Sequence, residues 1–280
     1  MSTLRSLHAA LRTRQDAAIG GPAPPVMTYR AVWISDLHLG TRACNTDLLL
    51  LFLAGMNTET IYLVGDIVDL WAMRSRFYWP ASHRAVVASL LDHARRGTRV
   101  LYIPGNHDED LRTRIGATFG KIEVAYDAIH CLADGRRLLV THGDAFDVVA
   151  KGAPWLAHIG ASAYMVTFAA NRYLNGARRR LGLPYWSLSA FLKLRVKRAV
   201  NFISNYEAAL VEAAKKRGVD GIICGHIHHA DIRLVGDILY GNAGDWVESC
   251  TALVEHHDGR IELLSYAANG RSVDTYLPSK

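Results

Sequence analysis

The chain has no CxxC pair; its four cysteines, Cys44, Cys131, Cys224 and Cys250, stand far apart. With no export signal in view, they read as reduced and mostly buried thiols rather than a disulfide framework. Nor is there an apolar run near the ~20 residues that a membrane-spanning helix needs; the longest, Leu48–Met56, is far shorter. Arg5, Arg12, Arg14 and Asp16 interrupt any secretory core at the start. The expected location is therefore the cytoplasm, with a membrane surface still open as a partner. No internal repeat is visible. Hydrophobic residues at 50% and charged residues at 21% of 280 positions exclude disorder, collagen and coiled coil for the bulk. They allow one large domain, or a domain with an insertion.

One further absence is local. Between Val148 and Tyr206 there is no Asp or Glu, yet Lys151, Arg172, Arg178, Arg179, Arg180, Lys193, Arg195, Lys197 and Arg198 all fall there. The chain's net charge is +6, from 32 basic and 26 acidic residues, so this stretch holds the whole positive excess. It is also rich in aromatics, among them Trp155, Tyr164, Phe168, Tyr173, Tyr185, Trp186 and Phe191. A basic, aromatic, acid-free segment points to a polyanion or an anionic membrane surface. The plainer alternative is a basic helical hairpin with a solvated face.

Residues 1–28 read as an arm and linker closing on GGPAPP, and residues 29–280 as one domain interrupted at about 148–206. From Tyr29 onward, apolar and often β-branched runs stop abruptly at clusters of Asp, His, Asn and Gly. The runs Ala31–Ile34, Ile61–Val64, Val100–Ile103, Leu138–Val140, Gly221–Cys224 and Ile238–Tyr240 predict buried strands. Helical spacing lies between them at Asp47–Met56 behind a Thr46 cap, at Ser82–Arg96, and at Tyr206–Lys216. Thr251–Tyr266 predicts a hairpin turning at Asp258-Gly259. Alternating strands and helices give an α/β layered fold.

The clusters are SDLHLG (Ser35–Gly40), GDIVD (Gly65–Asp69), GNHD (Gly105–Asp108), THGD (Thr141–Asp144) and GHIHH (Gly225–His229). Ligands bind at the carboxyl ends of strands in open α/β sheets, so these ends are expected to converge. They supply Asp36, His38, Asp66, Asn106, His142, His226 and His228. On an extended segment, residues i and i+2 project the same way, so D-x-H and H-x-H each aim two side chains at one centre. Two carboxylates, four imidazoles and an amide oxygen exceed the needs of one tetrahedral ion. They suit two divalent ions, with manganese, iron, cobalt or zinc favoured over magnesium or calcium. A single D-x-H is weak evidence; five clusters in order, each ending an apolar strand, are not accidental.

The ordered set D-x-H, G-D-x-x-D, G-N-H-D, H-G-D and G-H-x-H resembles the calcineurin-like metallophosphoesterases over roughly Ala31–His229. The resemblance implies a four-layer αββα sandwich. It also implies one ion on Asp36, His38, Asp66 and His228 and a second on Asp66, Asn106, His142 and His226, with hydroxide between them attacking phosphorus. His107 would then stand over the scissile phosphate and protonate the leaving oxygen, with Asp69 orienting it; a turn-shaping role for His107 and a helix-start role for Asp69 are the plainer readings.

Which ester is cleaved turns on the 84-residue gap from His142 to His226, far longer than a compact connection needs. Leu156–Leu174 and Trp186–Phe202 are long enough for two helices around the RRRLGLP turn, and such an insertion can act as a lid, apolar on one side and cationic on the other. SDLHLGTRACN, GDIVDLW, GNHDEDLR and GNAGDWVES are similar to the UDP-2,3-diacylglucosamine diphosphatases of lipid A synthesis and their relatives. That similarity implies hydrolysis of a UDP-lipid pyrophosphate to UMP and a lipid 1-phosphate at the inner face of the cell membrane. His107 stands where well-known members of that group carry arginine, which places this chain with the histidine-bearing relatives. Arg178, Arg179, Arg180, Lys193, Arg195 and Lys197 are the candidate substrate contacts. Two alternatives stay open: a phosphoesterase for a soluble cyclic nucleotide, phosphoprotein or nucleic acid, and a non-enzymatic interaction module. The apolar Ala161–Ala170 stretch argues against nucleic acid. The filled ligand positions argue against the module. The sequence is silent on oligomeric state.

Overall fold

The computed structural model describes residues 26–147, 188–267 and 271–276, with only the backbone of 188–199 and 271–274. Strands follow in the order β1 (Met27–Ile34), β2 (Met56–Val64), β3 (Arg99–Ile103), β4 (Thr118–Phe119), β5 (Ile122–Val124), β6 (Ala128–Cys131), β7 (Arg137–Val140), β8 (Gly221–Cys224), β9 (Asp231–Val235), β10 (Ile238–Asn242), β11 (Thr251–Glu255), β12 (Ile261–Ser265) and β13 (Arg271–Tyr276). The helices are α1 (Thr46–Ala54), α2 (Leu70–Ser75), α3 (Ala81–Arg95) and α4 (Leu188–Arg217).

The strands form two sheets, ordered β13-β12-β11-β1-β2-β3-β5-β4 and β6-β7-β8-β10-β9. In the first, β1, β2, β3 and β5 run parallel; in the second, β7, β8 and β10 do. Parallel strands bury both faces, and period-two alternation divides their side chains between two cores. Val32, Ile34, Ile61 and Leu63 pack with Leu49, Phe52 and Leu53 of α1 and Val86 and Leu90 of α3. The intervening Ala31, Trp33, Tyr62 and Val64 face the second sheet and pack with Leu138, Val140, Ile223 and Leu239. On the far side of that sheet Ile222 and Tyr240 are also fully buried. The α/β class and the two-sheet sandwich are as the sequence implies.

Some boundaries differ. Met27 and Thr28 open β1 rather than closing the arm. Asn45, not Thr46, caps α1, its side chain accepting from the Leu48 amide. The separate helices expected at Trp186–Phe202 and Tyr206–Lys216 are one helix, α4; no Gly or Pro interrupts Leu188–Arg217, so nothing stops propagation. The expected helix at Leu156–Leu174, the RRRLGLP turn and the arm before residue 26 lie outside the described residues. The chain divides into two compact units, Met1–Asp144 with Ala214–Lys280, and Ala145–Ala213, the second spanning the whole acid-free segment.

Between the sheets sits a buried polar chain. Glu255, fully buried, accepts from Arg30 at 2.6 Å and from the Ala133 amide at 2.8 Å. His130 Nε2 lies 2.8 Å from its other oxygen, and His130 Nδ1 meets the Tyr62 hydroxyl at 3.1 Å. Burial alone would raise the Glu255 carboxyl; the bonds from His130, Ala133 and Arg30 outweigh it and hold it below its usual range. Glu255→Ala strands the Arg30 cation and leaves His130 and the Ala133 amide without their acceptor, and a loss of about 3–5 kcal/mol in urea unfolding is expected. A depressed carboxyl contributes fully above its unfolded value of 4.5 and loses that contribution as pH falls through the lower folded value. The gap between wild type and variant should therefore narrow in acid, and a constant gap would show that the charge is not what stabilises.

Candidate metal centre

Each catalytic candidate follows the last residue of a parallel strand. Asp36 and His38 follow β1, Asp66 and Asp69 follow β2, Asn106 and His107 follow β3, His142 follows β7, and His226 and His228 follow β8. The sandwich brings all five ends together. Ligand-type atoms lie within 4.8 Å of one another in Asp36, His38 and His228, in Asp66, His142 and His226, and in His38, Asp66 and His107.

The backbone departs from the extended form expected at these spacings. D-x-H and H-x-H are not extended pairs. Asp36, His38, Asp66, His226 and His228 have φ of 52°, 49°, 52°, 72° and 54°, the left-handed region that L side chains avoid. Among the described residues only Cys250 joins them outside glycine. The left-handed turns swing both polar side chains to one side while Leu37 and Ile227 sink into the interior. Such residues cost of order 1–3 kcal/mol each and persist only where the surroundings hold them. Here the loops hold one another: the Asp36 amide donates to Gly65 O at 3.0 Å, His38 to Asp66 O at 2.9 Å, and Trp246 to Asp36 O at 3.1 Å. Gly105 lets the backbones close in, since a Cβ there would meet Asp66 Oδ1 at 2.2 Å and His142 Nε2 at 2.6 Å.

Asp66 stands between the groups. Its Oδ1 lies 3.5 Å from His142 Nε2 and accepts from the His107 amide at 2.8 Å, while Oδ2 lies 4.0 Å from His107 Nε2. Asp36 Oδ1 lies 3.1 Å from His228 Nε2, and Oδ2 accepts from the His226 amide at 2.9 Å. Burial would raise both carboxyls. For Asp36 the charge and hydrogen bond of His228 outweigh it, and for Asp66 the hydrogen bond and charge of His142 do; both sit below the ordinary range. The imidazoles answer: burial would lower them, but Asp66 lifts His142 to about 10 and Asp36 lifts His228 to about 9. The cavity is thus built for positive charge.

Two observations favour metal ions as the source of that charge. The Asn106 side-chain oxygen is buried and accepts no hydrogen bond from any described residue, a state that costs about 1–3 kcal/mol unless something binds it. His38 Nε2 and His228 Nε2 lie 3.4 Å apart, close enough for both to reach one cation in place of the proton they share. The donor set, carboxylate, imidazole and amide oxygen without sulfur, fits divalent ions of the manganese, iron, cobalt and zinc type.

Asp69 serves three groups. Its Oδ1 caps α2 through the Ala72 amide at 2.7 Å. Its Oδ2 lies 3.1 Å from His38 Nδ1 and 3.0 Å from His107 Nδ1. One oxygen thus serves the helix start while the other faces both imidazoles. Trp71, one turn on, packs against the His107 ring with centroids 4.5 Å apart.

Sequence reasoning passed over other members. Asp108, fully buried, accepts from the Gly105 and Ile67 amides at 2.6 and 2.8 Å and from the Tyr102 hydroxyl, tying the GNHD loop to GDIVD. Its place beside Asn106 and His107 was the available signal. Arg112 donates to both oxygens of Asp144 at 2.8 and 2.7 Å, fastening the β3 loop to the β7 loop; no local pattern announces that pair. Of the candidate substrate contacts, Arg178, Arg179 and Arg180 lie outside the described residues. Lys193, Arg195 and Lys197 lie on α4 with side chains outside the description.

The model of the calcineurin-like phosphoesterase family matches residues 29–230. The UDP-2,3-diacylglucosamine hydrolase of Blochmanniella pennsylvanica is 28% identical over 116 residues, 40% of this chain and 46% of that protein. The enzyme of the same name from Ralstonia nicotianae is 34% identical over 116 residues, 40% of this chain and 42% of that protein. The chain thus spans less than half the length of the curated relatives it matches. Among solved structures, the E. coli phosphoesterase YfcE aligns over 88% of this chain and 97% of its own at 15% identity, with a TM-score of 0.45. The family match covers the strands and loops that carry the whole Asp–His–Asn constellation, and the chain belongs to the calcineurin-like phosphoesterase family.

Proposed function

We propose that the chain hydrolyses the pyrophosphate of a UDP-lipid such as UDP-2,3-diacylglucosamine, releasing UMP and a lipid 1-phosphate, as a peripheral protein at the inner face of the cell membrane. The observation that carries the hydrolytic part is the cavity of buried carboxylates and imidazoles, with a buried, unpartnered Asn106 oxygen on the loop that supplies His107. The lipid part is supported by the shared motifs and by the names of the two curated relatives. Among the described residues no helix is long and apolar enough to cross a membrane, which fits peripheral attachment.

Asp36, His38, Asp66 and His228 would hold one ion and Asp66, Asn106, His142 and His226 the other, with manganese the favoured metal. Bound there, the ions supply positive charge for the phosphoryl oxygens and acidify water enough to make a nucleophile at neutral pH. The remaining work falls to His107. Asp69 Oδ2, 3.0 Å from Nδ1, favours the tautomer that keeps its proton on Nδ1 and leaves Nε2 on the Asp66 side. Burial would lower the His107 pKa, but the bond to Asp69 and the charges of Asp66, Asp69 and Asp36 raise it. A second proton on Nε2 is thereby favoured, ready for the leaving oxygen. Its side chain is 27% exposed, open to a substrate yet held.

Manganese-loaded protein incubated with UDP-2,3-diacylglucosamine should release UMP, detected by mass spectrometry; turnover of a generic aryl phosphodiester without UMP release would move the substrate to a soluble ester. Asp66→Ala should lose bound metal and activity together, by about 10³-fold or more in rate, and full turnover in that variant would exclude the two-ion site. His107→Ala should keep its metal content while losing roughly 10²–10⁴-fold in kcat; loss of metal in that variant would make His107 a ligand instead.

A further inference from the structure

Beside the metal cavity the surface carries a second acid-free stretch. From Leu70 to Leu91 there is no Asp or Glu, while Arg74, Arg76 and Arg84 alternate with Trp71, Phe77, Tyr78 and Trp79. The aromatics are not core. Phe77 is 75% exposed at the end of α2, and Trp71 is 43% exposed. A projecting phenylalanine forgoes about 2 kcal/mol of burial, so its position calls for a partner. Cations lie along the same turn. Arg42 lies over the Tyr78 ring at 5.3 Å, Arg84 reaches the Trp79 carbonyl at 3.4 Å, and both side chains are exposed, as is Arg76. Among the described residues, only Arg74 in this group is paired with an acid, Asp110 at 2.7 Å. The turn is rigidly based: His83, buried beneath it, meets Tyr78 and Trp79 edge-on and accepts from the Gly40 amide at 3.1 Å.

We infer that the Arg76–Pro80 turn, with Phe77 at its tip and Arg42, Arg76 and Arg84 around it, docks on an anionic lipid bilayer. An apolar tip on a turn flanked by guanidinium groups matches the interfacial zone, where the phenyl ring enters the acyl boundary and the cations meet lipid phosphates. A single-stranded nucleic acid would also meet arginine and aromatic rings, but it needs free ring faces for stacking. Here Trp71 lies against His107, Arg42 covers Tyr78 and Trp79 is set against His83, leaving only the tip. Because Trp71 joins the patch to His107, a docked protein presents its metal cavity at the lipid surface. The assignment concerns described residues of the main unit, independent of the basic insertion, and stands whichever ester is cleaved.

The test is flotation of the full chain with mixed phosphatidylcholine–phosphatidylglycerol vesicles. Arg76→Ala with Arg84→Ala should weaken partitioning about 25-fold, taking about fivefold per basic residue, and more weakly at high salt. Phe77→Ala should weaken it roughly tenfold. Both variants should turn over a generic aryl phosphodiester within about twofold of wild type, since neither touches the metal cavity, and this confirms that they are folded. Undiminished flotation of both variants overturns the inference, as does a wild-type chain that does not float, or one that prefers a single-stranded oligonucleotide to vesicles. UMP release from substrate in detergent micelles, measured on the same preparations, tests the substrate reading separately, so one can fail without the other.

Discussion

Everything in the main unit answers to the repulsion between two buried carboxylates. Asp36 and Asp66 are withdrawn from water at adjacent strand ends, where unscreened charge of one sign is costly. The protein compensates with imidazoles from other strands, with backbone amides aimed at carboxylate oxygens, and with space for cations. No one of these suffices. His228 belongs to β8's loop and His142 to β7's, so the sheets must be packed in register before the charge is answered. The centre is therefore a consequence of the sandwich, and the sandwich's loops are spaced by the centre.

Local choices agree with that demand. α2 is six residues long and buries none of them, so it adds little to either core; its value is that Asp69, capping it, is aimed at both His38 and His107. Asp108 and the Arg112–Asp144 pair act the same way at one remove, binding loops to loops. The buried chain of Arg30, Glu255, His130 and Tyr62 shows the principle away from the site: a charge between the sheets is kept only because every face of it is met.

Much of this was legible from residue order. β8 coincides with the run Gly221–Cys224, and the other core runs fall inside observed strands, because two-sided burial demands unbroken apolar sequence. The gathering of Asp36, His38, Asp66, Asn106, His142, His226 and His228 was expected from strand ends alone. The reason offered for the D-x-H spacing was wrong, however. The backbone is left-handed where extended geometry was expected; aspartate and histidine enter that region more readily than most side chains, but five of them at one site are held there by the packing of the loops. Arg112 and Asp144, 32 positions apart, meet only through tertiary packing. The join of two expected helices into α4 was readable in hindsight from the missing breaker between Phe202 and Tyr206.

The left-handed residues carry a further implication for how such a chain can change. At Asp36, His38, Asp66, His226 and His228, glycine would relax the backbone that the present side chains strain. A descendant freed from its chemistry would find its cheapest thermostabilising replacements there. Robustness and turnover thus make opposite demands on the same few residues, and the side chains that stand at such backbone angles here are the ones the chemistry requires.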